Sequence, residues 1–390
     1  MSSDEKLKEY SEIVMNVGKR LINEYKEKRC VSGGINGPYN DPETPVRNLC
    51  HLIVITAIEI TSFDKADYMP LIKEMSDQLL SYMIAPGLFV MREKKGKDRS
   101  NGTIGHSWVI EALVYLYKVN PQKDYLELMR QIIMNHKYNT SLHLYCVPKY
   151  SEIEDDVIDF TLNHQLWFAA SVAEANCFLN DDHIRDSLRD FIVNLKSNME
   201  IHKKGLICHP IYKRESYIQK IRQNLRKSID GINRVFGKPS YQYREEGYHI
   251  FNIMAFARLK HVINDINIEE FKKINKAVCY VNTEYCLESL ENKEFRLDNT
   301  IDYSSILPQN RAVNIYGYPY NVSGLEMMYI AETFPDLIDN SIAVKYLERQ
   351  FGHCYESEYR SFRKGCHDDR VIDYRIYEYY RFLESSGERV

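Results

Sequence analysis

Six segments of the chain are apolar or small on nearly every side, and they constrain the fold more than any other feature of the sequence. They are LCHLIVITAIEI (49–60), WVIEALVYLY (108–117), LWFAASVAEANCFL (166–179), YHIFNIMAFARL (248–259), GLEMMYIAETF (324–334) and RVIDYRIYEYYRFL (370–383). A helix that is apolar on all sides is buried on all sides. The fold must therefore surround six helices with other parts of the chain.

An amphipathic segment precedes each buried one. The buried segments begin near residues 45, 104, 160, 247, 321 and 369, and their partners lie near 4–28, 66–84, 122–136, 181–199, 267–280 and 340–352. Alternating outer and inner helices are typical of a helical-hairpin array. An open array exposes one helical layer, so inner helices that are apolar all round favour closure. We therefore predict an all-α protein, one (α/α)6 toroid of six helical hairpins over residues 1–390.

Short β-like pieces interrupt the connections between outer and inner helices. They are GLFVMR (87–92), LHLYCVPKY (142–150) and GLICHPIYK (205–213), and they predict short β-hairpins along one rim of the toroid. The connection at about 200–245 is a longer, locally basic insertion. Its 213–229 part has a basic face and an apolar face. It is interpreted as a solvated surface helix, a lid over an anionic ligand or a peripheral membrane contact.

Charge and composition exclude several classes of protein. The formal net charge of −4 gives no overall basic field, so we expect no nucleic-acid partner. No apolar run approaches the roughly 18 residues of a membrane span, and the first residues are charged where a signal peptide is apolar. These features predict a cytoplasmic protein. Nine cysteines without a CxxC pair predict reduced thiols and no disulfide framework.

Polar residues gather at the N-terminal ends of the buried segments, at 41–48, 101–108, 155–167, 243–249, 317–326 and 366–370. In a toroid these ends open onto the same rim. A polar, aromatic mouth above an apolar body predicts a ligand pocket. Because helix N-termini carry free N–H groups and positive dipole ends, the mouth favours a ligand with carboxylate or phosphate groups.

The candidate site residues come from these polar clusters. A lone histidine near a helix start is usually a core residue, but His106, His164 and His249 occupy corresponding places in three hairpins. We predict Asp159, His106 and His164 as catalytic residues. The predicted substrate-binding residues are Arg47, Trp108, Asn163, Trp167, Tyr248, His249, Tyr320, Asn321 and Asp369.

Several of these residues also have purely structural interpretations. Arg47 can bind a carboxylate through its planar fork or form a salt bridge to Glu43 or Asp41. Trp108 and Trp167 can stack on sugar rings or pack in the core. Asp159, Asn321 and Asp368 can act as helix caps. These alternatives stay open at the level of sequence.

Metal and cofactor motifs are weak. His353-Cys354 and Cys366-His367 carry zinc-type side chains, but their spacing matches no compact zinc pattern. The glycines at 33, 34 and 37 lack the arrangement that cradles phosphate, and there is no GxSxG nucleophile elbow. We therefore expect no metal and no cofactor.

The stretch VIDFTLNHQLWFAAS (157–171) resembles the inner-helix motif of the unsaturated glucuronyl and rhamnogalacturonyl hydrolases, members of the six-hairpin glycosidase superfamily. The segments DPETPVRN (41–48) and NGTIGHSWVIEAL (101–113) are also similar to those of little-characterised proteins in bacterial surface-polysaccharide gene clusters. The resemblance implies an (α/α)6 toroid. It also implies that Asp159 is a general acid and base toward a 4,5-unsaturated uronate, and it matches Asn163 to the asparagine of the motif.

The sequence departs from that family at the preceding inner helix, where NGTIGHSW supplies Thr103 and His106 and no second aspartate. Ordinary glycoside hydrolysis needs two carboxyl groups, and Glu245, Glu246, Asp368 and Asp369 are candidate partners for Asp159. Proton abstraction at C5 of a uronate instead needs Tyr or His bases and an arginine, which Tyr248, His249, Tyr320 and Arg47 would supply.

These observations predict a carbohydrate-active enzyme, a glycoside hydrolase acting on a uronate-containing or otherwise anionic oligosaccharide or polysaccharide with Asp159 as general acid/base. The alternatives are a uronan lyase or C5-epimerase and a non-catalytic glycan-binding toroid. Lanthionine-cyclase-like and terpene-cyclase-like toroids lack convincing metal motifs in this sequence.

Overall fold

Outer, one-sided helices alternate with enclosed inner helices along the chain. The computed structural model describes residues 3–151, 153–211, 242–263, 266–291, 313–369 and 371–387. Its α-helices are α1 (Ser3–Lys28), α2 (Val46–Ser62), α3 (Met69–Ser81), α4 (Ile104–Val119), α5 (Lys123–Asn135), α6 (Leu162–Leu179), α7 (Asp182–Asn198), α8 (Gln242–Val262), α9 (Lys272–Tyr280), α10 (Glu284–Leu290), α11 (Ser323–Thr333), α12 (Asn340–Cys354) and α13 (Tyr377–Ser386). The predicted 213–229 segment lies outside the described residues.

The inner helices form a closed ring. Helix α2 packs against α4, α4 against α6, α6 against α8, α8 against α11 and α11 against α13, and α13 returns to α2. Outer helices α1, α3, α5, α7 and α12 pack against this ring from outside. The predicted (α/α)6 toroid is therefore confirmed.

Small β-hairpins lead into two of the inner helices, as the sequence predicts. Strand β1 (Met83–Ala85) pairs with β2 (Leu88–Phe89) before α4, and β3 (Tyr138–Asn139) pairs with β4 (Leu144–Tyr145) before α6. Single bridges join Ile201 to Ile207 and Thr161 to Pro210 in the third connection. These pieces lie beside the N-terminal ends of the inner helices and build up that rim.

The last inner helix begins later than its apolar pattern predicts. The pattern starts near residue 369, whereas Ile372–Ile376 is a 3-10 helix and α13 follows from Tyr377. A single π-helical turn at Gly317–Asn321 similarly precedes α11. Within the described ranges, no helix combines the length and apolar character that a bilayer crossing requires. All nine cysteines lie among the described residues, and no disulfide joins any of them.

Charged side chains from four inner helices meet inside the ring. Arg258 of α8 donates to both carboxylate oxygens of Glu174 on α6, at 3.0 and 2.8 Å. Arg381 of α13 donates to Glu174 at 3.2 Å and also to Glu111 of α4. Arg258 is fully buried and Glu111 almost so. Since ions buried in a protein are costly unless they are paired, this network requires the four helices to keep their mutual positions.

We expect Arg258→Met to lower the free energy of unfolding by about 3–5 kcal/mol, because the substitution leaves Glu174 without its bidentate partner near the core. Urea denaturation measures the change. The matched control is Lys73→Met, which removes an exposed lysine paired with Asp77 at 2.8 Å and should change stability by less than about 0.5 kcal/mol. Equal effects of the two substitutions would contradict a structural role for the network.

Candidate active site

A cavity of about 200 Å3 opens where the N-terminal ends of the six inner helices meet. Every inner helix, or the turn just before it, contributes a side chain, and the loops around residues 36–41 and 92–101 complete the wall. The lining residues are Asn36, Tyr39, Asp41, Arg47, Arg92, Lys97, Asn101, Ile104, Trp108, Thr161, Asn163, His164, His209, Arg244, Tyr248, Phe251, Tyr320, Asn321 and Arg375.

Seven of the predicted site residues line this cavity: Arg47, Trp108, Asn163, His164, Tyr248, Tyr320 and Asn321. Tyr248 places its hydroxyl 3.2 Å from that of Tyr39, and Tyr320 donates to Asn36 at 2.6 Å. Asn321 donates to backbone carbonyls of Gly247 and Tyr316 and so holds the turn before α11. The shared rim predicted from the helix starts brings these seven together.

Asp159 lies just behind the lining and orients His164. Its carboxylate accepts hydrogen bonds from His164 Nδ1 at 2.8 Å, from the Thr103 amide at 2.9 Å and from the Thr161 amide at 3.0 Å. Burial alone would raise the pKa of Asp159, but the imidazole and the two amides outweigh it and lower the pKa to about 2. Asp159 is therefore an anion at neutral pH.

The imidazole of His164 is thereby fixed in one orientation. With Nδ1 bonded to Asp159, the second ring nitrogen, Nε2, has no hydrogen-bond partner among the described residues, and the side chain lines the cavity. A carboxylate that accepts from Nδ1–H leaves the lone pair on Nε2 and stabilises the ring when it gains a proton. The pair has the arrangement of a general base and its orienting group.

Gly102 makes room for this pair. Its φ of +66° lies in the left-handed region that favours glycine. A β-carbon at this position would collide with Asp159 Oδ2 and His164 Nδ1. Because Gly102 has no β-carbon, the backbone comes close enough for the Thr103 amide to donate to the Asp159 carboxylate.

A second histidine, which sequence reasoning did not select, lines the same cavity. His209 lies within the third β-like piece, and its ring lies 4.8 Å from the ring of Tyr248. Burial, assisted by the positive charge of Arg244, lowers the pKa of His209 well below its ordinary value. His209 is therefore neutral at physiological pH. Its position in a β-like piece of the connection that leads to an inner helix is the signal that could have identified it.

Sequence reasoning also missed the charged loop residues. Asp41 is fully buried and pairs with Arg92 at 3.3 Å, with Lys97 at 2.6 Å and with Lys94. Arg92 also donates to Asn101 at 2.8 Å. Asp41 and Asn101 belong to the polar clusters at 41–48 and 101–108, but these residues lie in loops, where no helical period indicates which way a side chain faces, so the sequence did not distinguish them as lining residues.

Two buried arginines present positive charge to the cavity, each with a carboxylate partner. Arg47 pairs with Glu43 at 2.6 Å, which is the salt bridge considered from sequence, and it also lies over the Trp108 ring. Arg375 pairs with Glu326 at 3.2 Å. Burial raises the pKa of Glu43 to about 7 against the opposing effect of Arg47.

Five lining residues carry a buried polar atom that has no hydrogen-bond partner among the described residues. The atoms are Arg47 Nε, Trp108 Nε1, Asn163 Oδ1, His209 Nδ1 and Arg375 Nε. Buried polar groups in native proteins are nearly always paired, so a polar ligand or water in the cavity would satisfy these atoms. Four of the five atoms are side-chain nitrogens, two of them on arginine, which suits an anionic, hydroxyl-rich molecule.

The predicted convergence is wrong for His106 and His249. His106 is fully buried, with Nδ1 2.9 Å from His136 Nε2 and Nε2 3.1 Å from the backbone of Phe89. His249 is bonded to the Ile207 amide and the Ala277 carbonyl. Burial lowers the pKa of each to about 4. Both rings have their nitrogens engaged away from the cavity and hold the core together.

Trp167 and Asp369 also lie away from the cavity. Trp167 is fully buried, stacks on Phe251 at 4.3 Å between ring centroids and donates to its carbonyl, so the packing interpretation holds. Asp369 is exposed and pairs with Arg363 at 3.5 Å.

Two of the suggested helix caps have different partners. Asp159 accepts a hydrogen bond from the amide of Thr161, just before α6. Asp368 instead accepts one from the amide of Ile35.

Comparison with known proteins identifies the fold. No family model matches the chain. A curated relative, the archaeal glycosylation protein Q of Haloferax volcanii, is 26% identical over 360 residues, covering 88% of this chain and 90% of the relative. The cellobiose 2-epimerase of Bacillus thermoamylovorans superimposes with a TM-score of 0.57 at 11% identity over 95% of this chain and 100% of that one.

An unsaturated glucuronyl hydrolase specific for heparin superimposes with a TM-score of 0.54 at 10% identity over 99% of both chains. The structural neighbours are proteins of the six-hairpin glycosidase fold, as the sequence resemblance implies. Glycoside hydrolases, sugar epimerases and a polysaccharide lyase are among them. At this level of identity the structural similarity establishes the fold alone. The chemistry has to be inferred from the residues of the cavity.

We expect Gly102→Ala to destabilise the protein by about 2–4 kcal/mol, because the new methyl group collides with the Asp159–His164 pair and the positive φ is strained. Gly96→Ala is the matched control, since Gly96 has a φ of +81° and open space around its α-carbon. It should cost only about 1 kcal/mol. Thermal and urea unfolding of both variants test this. Equal losses of stability would mean that Gly102→Ala is destabilising only through its positive φ and not through a collision with the Asp159–His164 pair.

The stabilising effect of the Asp159 carboxylate should disappear in acid. A folded-state pKa of about 2, against the ordinary value of 3.8 for an aspartate, adds roughly 2 kcal/mol of stability at neutral pH. That contribution is present above the unfolded-state pKa and is lost as pH falls through the folded-state pKa. The stability difference between wild type and Asp159→Asn should therefore shrink by about 1 kcal/mol between about pH 6 and about pH 3.

Urea unfolding of both proteins across this range measures the difference. The exposed Asp77→Asn is the control and should show a small difference at every pH. A gap between wild type and Asp159→Asn that stays constant with pH would contradict the lowered pKa.

Proposed function

We propose that this protein is an enzyme that removes and returns a proton at the carbon beside the carboxylate of a uronate-type sugar, an epimerase acting on C5. The observation that carries the proposal is the Asp159–His164 pair, a histidine in the cavity wall whose Nδ1 is held at 2.8 Å by a buried, ionised carboxylate.

The arrangement of carboxylates favours this reaction over ordinary glycoside hydrolysis. Hydrolysis uses two carboxyl groups across the scissile bond, one of which must carry a proton. Asp41 is the sole carboxylate residue among the described lining residues, and three cationic side chains engage it. Asp159, with a pKa of about 2, has no proton to give at neutral pH. The sequence-based role of Asp159 as general acid is thus replaced by a positioning role.

In the proposed step, Nε2 of His164 takes the proton from C5 and the electrons of the C–H bond move into the carboxylate of the sugar. Asp159 stabilises the resulting imidazolium, as a buried aspartate does for a catalytic histidine. The enolate-like intermediate carries more negative charge on its oxygens than the substrate does. Arg47 and Arg375 supply positive charge at the cavity, so binding strengthens as the reaction proceeds.

Completion of epimerisation requires a proton donor that serves the other face of the sugar. Tyr248 and Tyr320 line the cavity from α8 and from the turn before α11, whereas His164 lies on α6. Burial raises the pKa of both hydroxyls, and each therefore holds its proton at neutral pH. Delivery of that proton to C5 inverts the centre without breaking a glycosidic bond. The imidazolium then gives its proton to water and the tyrosinate takes one from water, which restores both groups for the next cycle.

The comparisons agree with a reaction that remodels a sugar. The curated relative is named as a glycosylation protein, which favours a role in building glycans over degrading them. A sugar epimerase shares the fold over nearly the whole chain. The cavity of about 200 Å3 is smaller than the roughly 300–1,000 Å3 of pockets for drug-sized ligands, which favours a single sugar residue as the reacting unit.

The test incubates the purified chain with saturated uronides, unsaturated uronides and uronan polymers in deuterium oxide. We expect deuterium at C5 of a saturated uronide without cleavage, detected by NMR and mass spectrometry. New absorbance from an unsaturated uronate would identify a lyase, and its loss would identify a hydrolase that hydrates the double bond. Sugar binding without any exchange would identify a non-catalytic toroid. Each of these three outcomes would overturn the epimerase.

Asp159→Asn should lower turnover by about 10²–10⁴-fold while preserving the fold, because the amide no longer stabilises the imidazolium or fixes its tautomer. The matched control is Asp190→Asn, which alters a second aspartate bonded to a histidine, His143, at 2.7 Å on the outer layer. Exchange rates with the same substrate measure both. Full activity of Asp159→Asn would remove Asp159 from the mechanism.

A further inference from the structure

Three zinc-type side chains meet behind the wall of the cavity. The ligand atoms of His202, Cys208 and Glu245 all lie within 4.8 Å of one another, and His202 Nε2 is 2.6 Å from Glu245 Oε2. Cys208 is almost fully buried and Glu245 is buried. We infer that these three residues form a binding site for a zinc-type divalent ion. The spacing patterns used in the sequence analysis could not reveal it, because Glu245 is distant along the chain from the other two.

The backbone already holds the three ligands in place. His202 and Cys208 lie on a tight hairpin in which the His202 amide donates to Leu206 and the Cys208 amide donates to Glu200. Gly205 makes the turn with a φ of +118°, a conformation that favours glycine. Glu245 lies in the first turn of α8. A rigid hairpin facing a helix is the kind of support that a metal site needs.

The chemistry of the set suits zinc. Imidazole nitrogen, thiolate and carboxylate oxygen are its ordinary protein ligands, and bonds of about 2.0–2.3 Å place neighbouring ligands about 3.3–3.8 Å apart. Small side-chain movements convert the present spacing into that one. The ion would replace the hydrogen bond between His202 Nε2 and Glu245, with the imidazole N–H then on Nδ1, and it would replace the thiol proton of Cys208, which is released to water on binding. Three protein ligands leave a fourth position for water.

An ion here would brace one wall of the candidate active site. The His209 amide donates to Glu245 Oε1 at 3.2 Å, and Arg244 adjoins Glu245 in the chain. Both His209 and Arg244 line the cavity. The site is thus a structural link between the hairpin at residues 200–208 and α8, and it stands independently of the reaction proposed above.

The test strips the purified full chain with a chelator and titrates it with Zn²⁺ alone, and separately with Co²⁺. We expect one equivalent of zinc by elemental analysis, a higher thermal midpoint with zinc, and a thiolate-to-cobalt charge-transfer band in the cobalt protein. Loss of a ligand should weaken binding at least as much as the roughly 10–100-fold caused by removing an outer partner of a ligand. Cys208→Ser and His202→Gln are therefore expected to reduce affinity by about 100-fold.

Cys146→Ser is the matched control, since Cys146 is a buried free thiol outside the cluster, and its zinc affinity should equal that of wild type. The cobalt band of the wild-type protein needs no variant and so stands even where a substitution impairs folding. Absence of stoichiometric zinc, absence of the charge-transfer band, or unchanged affinity in Cys208→Ser would each overturn the site.

Discussion

Burial of the inner helices on every side is the constraint on which the rest of this structure depends. Helices apolar all round can be covered only when each has two neighbours in a ring and an outer helix behind it, and the contact of α13 with α2 completes that condition. Closure then puts all six inner N-termini on one rim. The cavity, its aromatic walls and its positive dipole ends follow from the same geometry.

The helical period predicts which residues are buried, and for that reason the ring, the alternation and the rim were all accessible from the sequence. The period does not say which side of a buried helix faces the axis. His106 and His164 occupy similar places in their helices, yet one bonds to His136 in the core and the other reaches the cavity. Asp41, Arg92 and His209 lie in loops and hairpins that have no period, so their positions depend on tertiary contacts alone.

The cavity obtains positive potential without leaving charges unpaired. Arg47 and Arg375 each face it with a carboxylate at the other side of the guanidinium, Glu43 and Glu326 respectively. Burial raises the pKa of both acids, and the arginine in each pair opposes that rise. The carboxylate partner offsets the cost of burying each arginine, and the guanidinium still attracts an anionic ligand in the cavity.

The carboxylate of Asp159 draws its backbone donors from two different hairpins. The Thr103 amide belongs to the turn that opens α4, and the Thr161 amide to the turn that opens α6. Asp159, Thr161 and His164 are neighbours along one segment, so the pair and one of its donors are local, whereas the Thr103 donor arrives only when the two hairpins have docked side by side. The complete set of donors to the carboxylate therefore belongs to the assembled ring.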